Sequence, residues 1–321
     1  GFSVKRLTSG GQRVLWGYFK KLVVADRIGP AASMITGAPE LYGGVYVLLG
    51  IVGHVVQLYA DFSGGIDIVL GISEMLGIRL PENFDRPFSS RSLAEFWRRW
   101  HMTLMQWFRE YVFFPVSTSR AARRLSEAVG RIAGKKTAGK APVYLASLTV
   151  WSLTGIWHGA SWNWVLWGLA NGVLMLLSQE LSGLSRRFRS HFSFAKGRGY
   201  QCFEKIRTFF VFCFPWLFVY YPAGEVFPRL WGILKGEELL SLISGGFGRF
   251  MGIQDCMILG LGILFMALAG QVRGNEALRD RLHRLPWPVS YGLSFVLFLL
   301  ILVTGVYGRG YEASQFIYNR F

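Results

Sequence analysis

The feature that most constrains this chain is the alternation of long apolar runs with short, strongly basic gaps. Apolar runs cover residues 42–59, 143–156, 162–177, 209–221, 257–269 and 289–306, and residues 14–28 read as a further helix in which Lys20 and Lys21 snorkel. A helical crossing of a bilayer core takes about 20 apolar residues, fewer where a segment is re-entrant or buried in protein. The expected fold class is therefore all-α, a polytopic membrane protein. Composition agrees. Charged residues are 17% of the 321, against about 25% in soluble domains, and aromatic residues are 16%, which suits lipid-facing surface and interfacial belts. Nothing alternates apolar and polar over enough ten-residue segments to suggest a transmembrane barrel.

The formal charge of +16, from 35 Lys and Arg against 19 Asp and Glu, is concentrated in the gaps. Residues 117–140 hold Arg120, Arg123, Arg124, Arg131, Lys135, Lys136 and Lys140 against Glu127 alone; residues 185–207 hold a similar set against Glu204. Basic loops beside apolar runs are retained on the cytoplasmic side, so both are placed inside and nucleic acid is not an expected partner. Cys202, Cys213 and Cys256 form no CxxC pair and no zinc spacing, so neither a disulfide framework nor a metal site is expected. The opening GFSVKRLTSGGQR is neither signal nor transit peptide, and the chain is expected to begin within a longer protein.

Three local patterns shape the centre of the chain. Residues 61–77, DFSGGIDIVLGISEMLG, are apolar but rich in glycine and carboxylate, and read as a broken or partly embedded helix pair. Residues 80–88, LPENFDRPF, read as a turn. Residues 93–111, set on a helix, gather Leu93, Phe96, Trp97, Trp100, Leu104, Trp107, Phe108 and Tyr111 on one arc, opposite Arg98, Arg99, Gln106 and Arg109. A basic face against a Trp-rich face predicts one helix lying in the membrane interface.

Two histidines carry the candidate chemistry. His158 sits in LTGIWHGASWNW among Trp151, Trp157, Trp162, Trp164 and Trp167. An ionisable group near membrane depth is a functional hypothesis by default; an interfacial His bonded to a backbone carbonyl is the other reading, and the local sequence does not separate them. His101 lies at the edge of the 93–111 arc, where a boundary residue is the commoner explanation. His54 is expected to make a helix–helix hydrogen bond, while His191 and His283 sit in basic segments and look incidental. Ser161 or Ser63 would allow a Ser-His-Asp set on paper, but no GxSxG elbow supports it. Asp61, Asp67 and Asp85 read better as partners of buried cations than as nucleophiles. A neutral imidazole in a membrane cavity suits general-base catalysis of acyl transfer to a hydroxyl, a contribution of roughly 10²–10⁴-fold.

The run LYADFSGGIDIVLGISEMLGIRLPENFDRPFSSRSLAEFWRRWHMTLMQWFREYVFFPV resembles the central block of the membrane-bound O-acyltransferase (MBOAT) family, in its bacterial alginate O-acetyltransferase branch. LTGIWHGASWNWVLWGLANG is similar to the family's catalytic-histidine region. FDRPF, EFWRRWH and WHG occur in order, although FFPVSTSR stands where the branch commonly carries an IPLGG-type turn. The resemblance implies a helical bundle with tilted and re-entrant helices around a tunnel. It also implies a single membrane domain over residues 1–321 lacking the family's N-terminal helices, with a catalytic core at about 58–171. His158 would be the catalytic base and His101 the second histidine. Asp61, Ser63, Asn83, Asp85, Trp97, Trp157 and Asn163 are the candidate substrate-binding or tunnel-lining residues.

The function so implied is transfer of an acyl group, acetyl by default, from a cytoplasmic thioester across a bacterial plasma membrane to a cell-surface or exported polysaccharide. The donor would be acetyl-CoA or an acylated carrier protein, with no bound cofactor. An extracytoplasmic SGNH-type acetyltransferase would be a partner. Alternatives are D-alanyl transfer from a carrier protein to teichoic acid, which uses a similar helix, and a transporter or channel with a histidine proton relay. No internal repeat of the kind transporters use is present.

Overall fold

A computed structural model describes residues 3–271 and 284–307, and the regular structure among them is helical. His283 lies outside the described residues. The chain divides into two compact units, one formed by Gly1–Glu82 with Phe227–Phe321 and the other by Asn83–Val226.

The first unit opens with α1 (Val4–Tyr18), capped by the Ser3 hydroxyl, which accepts from the Arg6 N–H. A π-helical turn, Phe19–Ala25, leads into α2 (Asp26–Thr36), and α3 runs from Gly44 to Met75. At 32 residues α3 is about 48 Å long. It joins the predicted apolar run at 42–59 and the predicted broken pair at 61–77 into one continuous helix, which corrects that expectation. The glycines do not break it because they face α1: a Cβ on Gly64 would stand 2.8 Å from the Gly17 carbonyl oxygen, and one on Gly71 2.6 Å from that of Gly10. They permit close backbone approach, as small residues do between membrane helices.

The carboxylates of α3 are neutralised from the same neighbour. Arg13 binds Asp67 at 2.9 Å and Glu82 at 2.5 Å; Lys20 pairs with Asp67 and donates to the Ser63 hydroxyl at 3.0 Å. Lys21 lies 2.8 Å from Asp26 and 2.9 Å from Asp61. Lys20 and Lys21 are therefore buried ion-pair partners, not snorkelling residues: the carboxylates they neutralise are themselves buried, so the ammonium groups turn inward. His54 on α3 bonds Thr36 of α2 at 2.9 Å, the predicted helix–helix contact.

In the second unit, α4 (Leu93–Arg99) starts at a reciprocal cap, with Ser92 Oγ accepting from the Glu95 N–H and the Glu95 carboxylate accepting from the Arg91 N–H. The predicted single helix over 93–111 is interrupted. Trp100 is extended and His101 is left-handed, after which α5 (Met102–Phe108) and a π-helical turn (Arg109–Phe113) continue to α6 (Phe114–Ser117). Residues 83–85 run beside the break: Asp85 N–H donates to Arg99 O and Met102 N–H to Asn83 O, each at 3.0 Å, around an antiparallel bridge of Phe84 with Trp100. These bonds satisfy the backbone that the helix gives up. Leu93, Phe96, Trp97, Trp100 and Phe108 of the predicted apolar arc are buried, whereas Trp107 and Tyr111 are exposed.

The basic gaps are helical rather than looped. The first forms α7 (Arg120–Ala138); after α8 (Ala141–His158), the second is spanned by the end of α9 (Trp162–His191) and the start of α10 (Arg198–Cys213). The antiparallel pair α8–α9 is drawn together at Gly155, where a Cβ would strike the Trp164 carbonyl. Then follow α11 (Trp216–Tyr220), α12 (Ala223–Lys235), which crosses from one unit to the other, and in the first unit α13 (Leu239–Ile243), α14 (Ile253–Gln271) and α15 (Trp287–Thr304). Gln12 of α1 donates to Ser290 and Ser294 of α15, each at 3.0 Å, and Thr8 bonds Tyr291 at 2.9 Å, a polar ladder along an otherwise apolar contact.

Among the described residues, α3 and α15 are long and apolar enough to cross a membrane, and Ile253–Ala269 is a shorter apolar helix. Much of α14 and α15 exposes large apolar side chains, including Met257, Leu261, Phe295, Val296 and Val303.

Candidate active site

Asn83 organises the first half of the site. Its Oδ1 accepts from the Thr103 hydroxyl at 2.6 Å and from the Thr103 backbone N–H at 3.4 Å, and His101 Nδ1 lies 2.9 Å away. A backbone N–H only donates, so the Asn83 atom at this point is its carbonyl oxygen, and His101 Nδ1 must carry a proton. In the neutral ring Nε2 is then the lone-pair nitrogen. His101 adopts φ 44°, ψ 54°, a left-handed conformation that costs a residue with a Cβ about 1–2 kcal/mol. The Asn83–Thr103 clasp and the bridge to Phe84 hold it there. Burial lowers the His101 pKa to about 4, so the imidazole is neutral at physiological pH.

His158 ends α8, part-buried and ringed by tryptophan. Its imidazole stacks on Trp164 (centroids 5.1 Å apart, planes at 21°) and meets Trp157 and Trp167 edge-on at 4.8 and 5.1 Å. Gly159 admits the Trp164 ring, since a Cβ there would collide with the indole. Trp216 of α11 packs behind, 5.6 Å from Trp167. An aromatic chain joins the halves: Trp97 of α4 lies 4.6 Å from Trp151, and Trp151 lies 6.4 Å from Trp167. His101 stands within electrostatic reach of His158.

Among the other sequence-predicted residues, Trp97 is buried at the head of that chain, whereas Trp157 is half exposed beside His158. Asn163 donates to the Val219 carbonyl at 3.2 Å, tying the start of α9 to α11. Asp85 pairs with adjacent Arg86 at 3.0 Å. Asp61 and Ser63 belong to the charge network of the first unit, bound to Lys21 and Lys20. Sequence reasoning missed Thr103. Its only signal is its place two residues after His101, which gains meaning once the break at 100–101 is known. Among the described residues no group of His, Cys, Asp and Glu is arranged to hold a metal ion.

No family model matches the chain. It is similar to a protein described as "Probable alginate O-acetylase AlgI" from Azotobacter vinelandii, 30% identical over 179 residues, covering 56% of this chain and 32% of the relative. A peptidoglycan O-acetyltransferase of Helicobacter pylori is 31% identical over 180 residues (56% and 31%). A teichoic acid D-alanyltransferase of Bacillus subtilis is 29% identical over 171 residues (53% and 40%). The matches cover about a third of the length of these curated relatives. Over this shared stretch the chain is similar to proteins named for O-acetyl and D-alanyl transfer.

Proposed function

We propose that the chain carries the two-histidine centre of a membrane-embedded O-acyltransferase, multi-pass in a bacterial plasma membrane. It moves an acyl group, acetyl by default, from a cytoplasmic thioester to hydroxyls of a cell-surface or exported polysaccharide. The observation that carries this reading is the pairing of two part-buried imidazoles in one unit, one pinned as a single tautomer by Asn83 and the other held flat against Trp164. The names of the relatives above support acyl transfer as the chemistry, and the resemblance assigns it to the two histidines.

In this mechanism His158 accepts the proton of the attacking hydroxyl as its oxygen forms a bond to the thioester carbonyl carbon. Collapse of the tetrahedral adduct breaks the C–S bond, and the imidazolium returns the proton to the departing thiolate. His101, neutral with its lone pair at Nε2, accepts a hydrogen bond from the acceptor and orients it. The tryptophans around His158 exclude water that would hydrolyse the thioester. The resemblance adds a tunnel between the membrane faces, acetyl-CoA or an acylated carrier protein as donor, and an SGNH-type extracytoplasmic acetyltransferase as the next carrier. The D-alanyltransferase relative favours a second reading, D-alanyl transfer to teichoic acid, which keeps the same histidine roles.

The test reconstitutes the full-length protein in vesicles with radiolabelled acetyl donor. Transfer is expected to fall about 10²–10⁴-fold in His158→Ala and to weaken in His101→Ala. Full transfer by His158→Ala would remove the assigned base. Labelling with D-alanyl carrier protein but not with acetyl donor would select the second reading.

A further inference from the structure

A cavity of about 720 Å³ lies in the second unit, bordered by α4, α8, α9 and α10 and apart from both candidate histidines. Its wall changes chemistry along α9, from Leu174, Leu177 and Leu181 to Arg186 and Arg189. Arg91 and Arg207 add to the cationic part, with Arg207 held to the Arg91 carbonyl at 3.0 Å. Glu204, buried on α10, lies 3.5 Å from Arg189 and 3.8 Å from Arg91, but its Oε2 has no hydrogen-bond partner among the described residues. One carboxylate therefore serves two guanidinium groups, and among the described residues no carboxylate pairs with Arg186 or Arg207. The site has surplus positive charge together with one buried acceptor that no hydrogen-bond donor among the described residues meets, and it is the buried Glu204 oxygen that carries a desolvation cost.

The neighbouring surface indicates where the occupant comes from. Leu169, Val173, Leu177, Leu181 and Leu184 are all exposed at helical spacing, an apolar ridge along α9 that ends at its arginines. Such a ridge is at home in acyl chains, with arginines at head-group level. We propose that the cavity binds a glycerophospholipid whose head group carries both a phosphate and a hydrogen-bond donor, as phosphatidylglycerol and phosphatidylethanolamine do. The phosphate lies among Arg186, Arg189 and Arg207, the head-group O–H or N–H donates to Glu204 Oε2, and a chain follows the leucines of α9. Arg suits this role because its planar donors meet phosphate oxygens in pairs. This inference rests on the membrane location and not on acyl transfer, so the two fail separately.

The test is native mass spectrometry of the full-length detergent-solubilised protein, titrated in parallel with phosphatidylglycerol, phosphatidylethanolamine and phosphatidylcholine of identical chains, and with coenzyme A. Retention of the first two is expected at about tenfold over phosphatidylcholine, which has phosphate but no donor. The variant Arg186→Gln/Arg207→Gln should lose that retention, and Leu177→Trp, which fills the apolar wall, should lose it with the arginines intact. Either variant suffices if the other misfolds, with thermal unfolding as the check on each. Equal retention of all three lipids, retention unchanged in the folded variants, or displacement by coenzyme A at equal concentration would overturn the proposal.

Discussion

A histidine held at positive φ is held against its own preference, and the clasp that holds His101 also orients its ring. Asn83 accepts from both His101 and Thr103, so losing its oxygen releases the ring tautomer and the backbone strain together. Asn83→Ala is expected to lower acyl transfer about tenfold, the equivalent of one to two hydrogen bonds. Asn83→Asp, which keeps an acceptor at that point, should recover part of the rate, whereas a purely steric role would leave the two variants alike. The same ring makes stability depend on pH. Its folded pKa of about 4 lies below the unfolded value near 6.5, so the folded state binds fewer protons in that window. The contribution is complete above about pH 6.5 and falls away as pH drops toward 4. Thermal unfolding followed across that range should show this slope, and His101→Gln should reduce it, since buried His158 contributes in the same direction. Buried charge behaves differently in the first unit. Asp67 serves both Arg13 and Lys20, and because Arg13 keeps Glu82, Asp67→Ala strips buried Lys20 of its carboxylate and is expected to cost about 3–5 kcal/mol in unfolding measurements. Lys20→Met combined with Asp67→Asn should cost less than the two single changes added.

At the scale of elements, the apolar periodicity of the sequence located most helices but misjudged where they stop. Glycine and carboxylate in residues 61–77 suggested a break; their partners, supplied by α1, turned both into packing devices, and α3 runs on. The reverse happened at 93–111, where an unbroken arc hid a break whose hydrogen bonds come from residues 83–85. Local pattern reports which face is apolar, while continuity depends on who satisfies the backbone and the charges, and those partners are distant in sequence. The site follows the same division. Type and position alone left His101 and His158 open and the resemblance singled them out as candidates, whereas the aromatic chain from Trp97 to Trp167 needed folded geometry. The α1–α3 contact offers a direct test. Gly64→Val places carbon where the Gly17 backbone already stands, so the helices must separate. Destabilisation of about 1–3 kcal/mol is expected in thermal unfolding, against little effect from Gly260→Ala, whose site is open.

For the molecule as a whole, the decisive quantity is the surface it shows to its solvent. A water-soluble protein rarely exposes large contiguous apolar patches, yet α15 displays Phe295, Val296, Phe298, Leu299, Leu302 and Val303 on nearly every side. Its buried members are Ser290 and Ile301, and Ser290 is bonded to Gln12. This is the inverse of an aqueous helix: polar groups mark the protein contact and carbon faces outward. Eighteen residues rise about 27 Å, close to the roughly 30 Å of a bilayer core. The arginines at the end of α9 give the opposite signal, since Arg186, Arg187 and Arg189 follow an exposed apolar ridge and suit the head-group level at which such a ridge ends. A bilayer therefore predicts opposite environments for two positions that are both exposed in the bare protein. A nitroxide attached at Val296→Cys in reconstituted vesicles should collide more often with oxygen, which concentrates in lipid, than with a water-soluble nickel chelate. At Arg187→Cys the order should reverse. Equal, chelate-dominated accessibility at both positions would mean that α15 faces water, and the membrane reading of the first unit would have to be abandoned even if acyl transfer were measured.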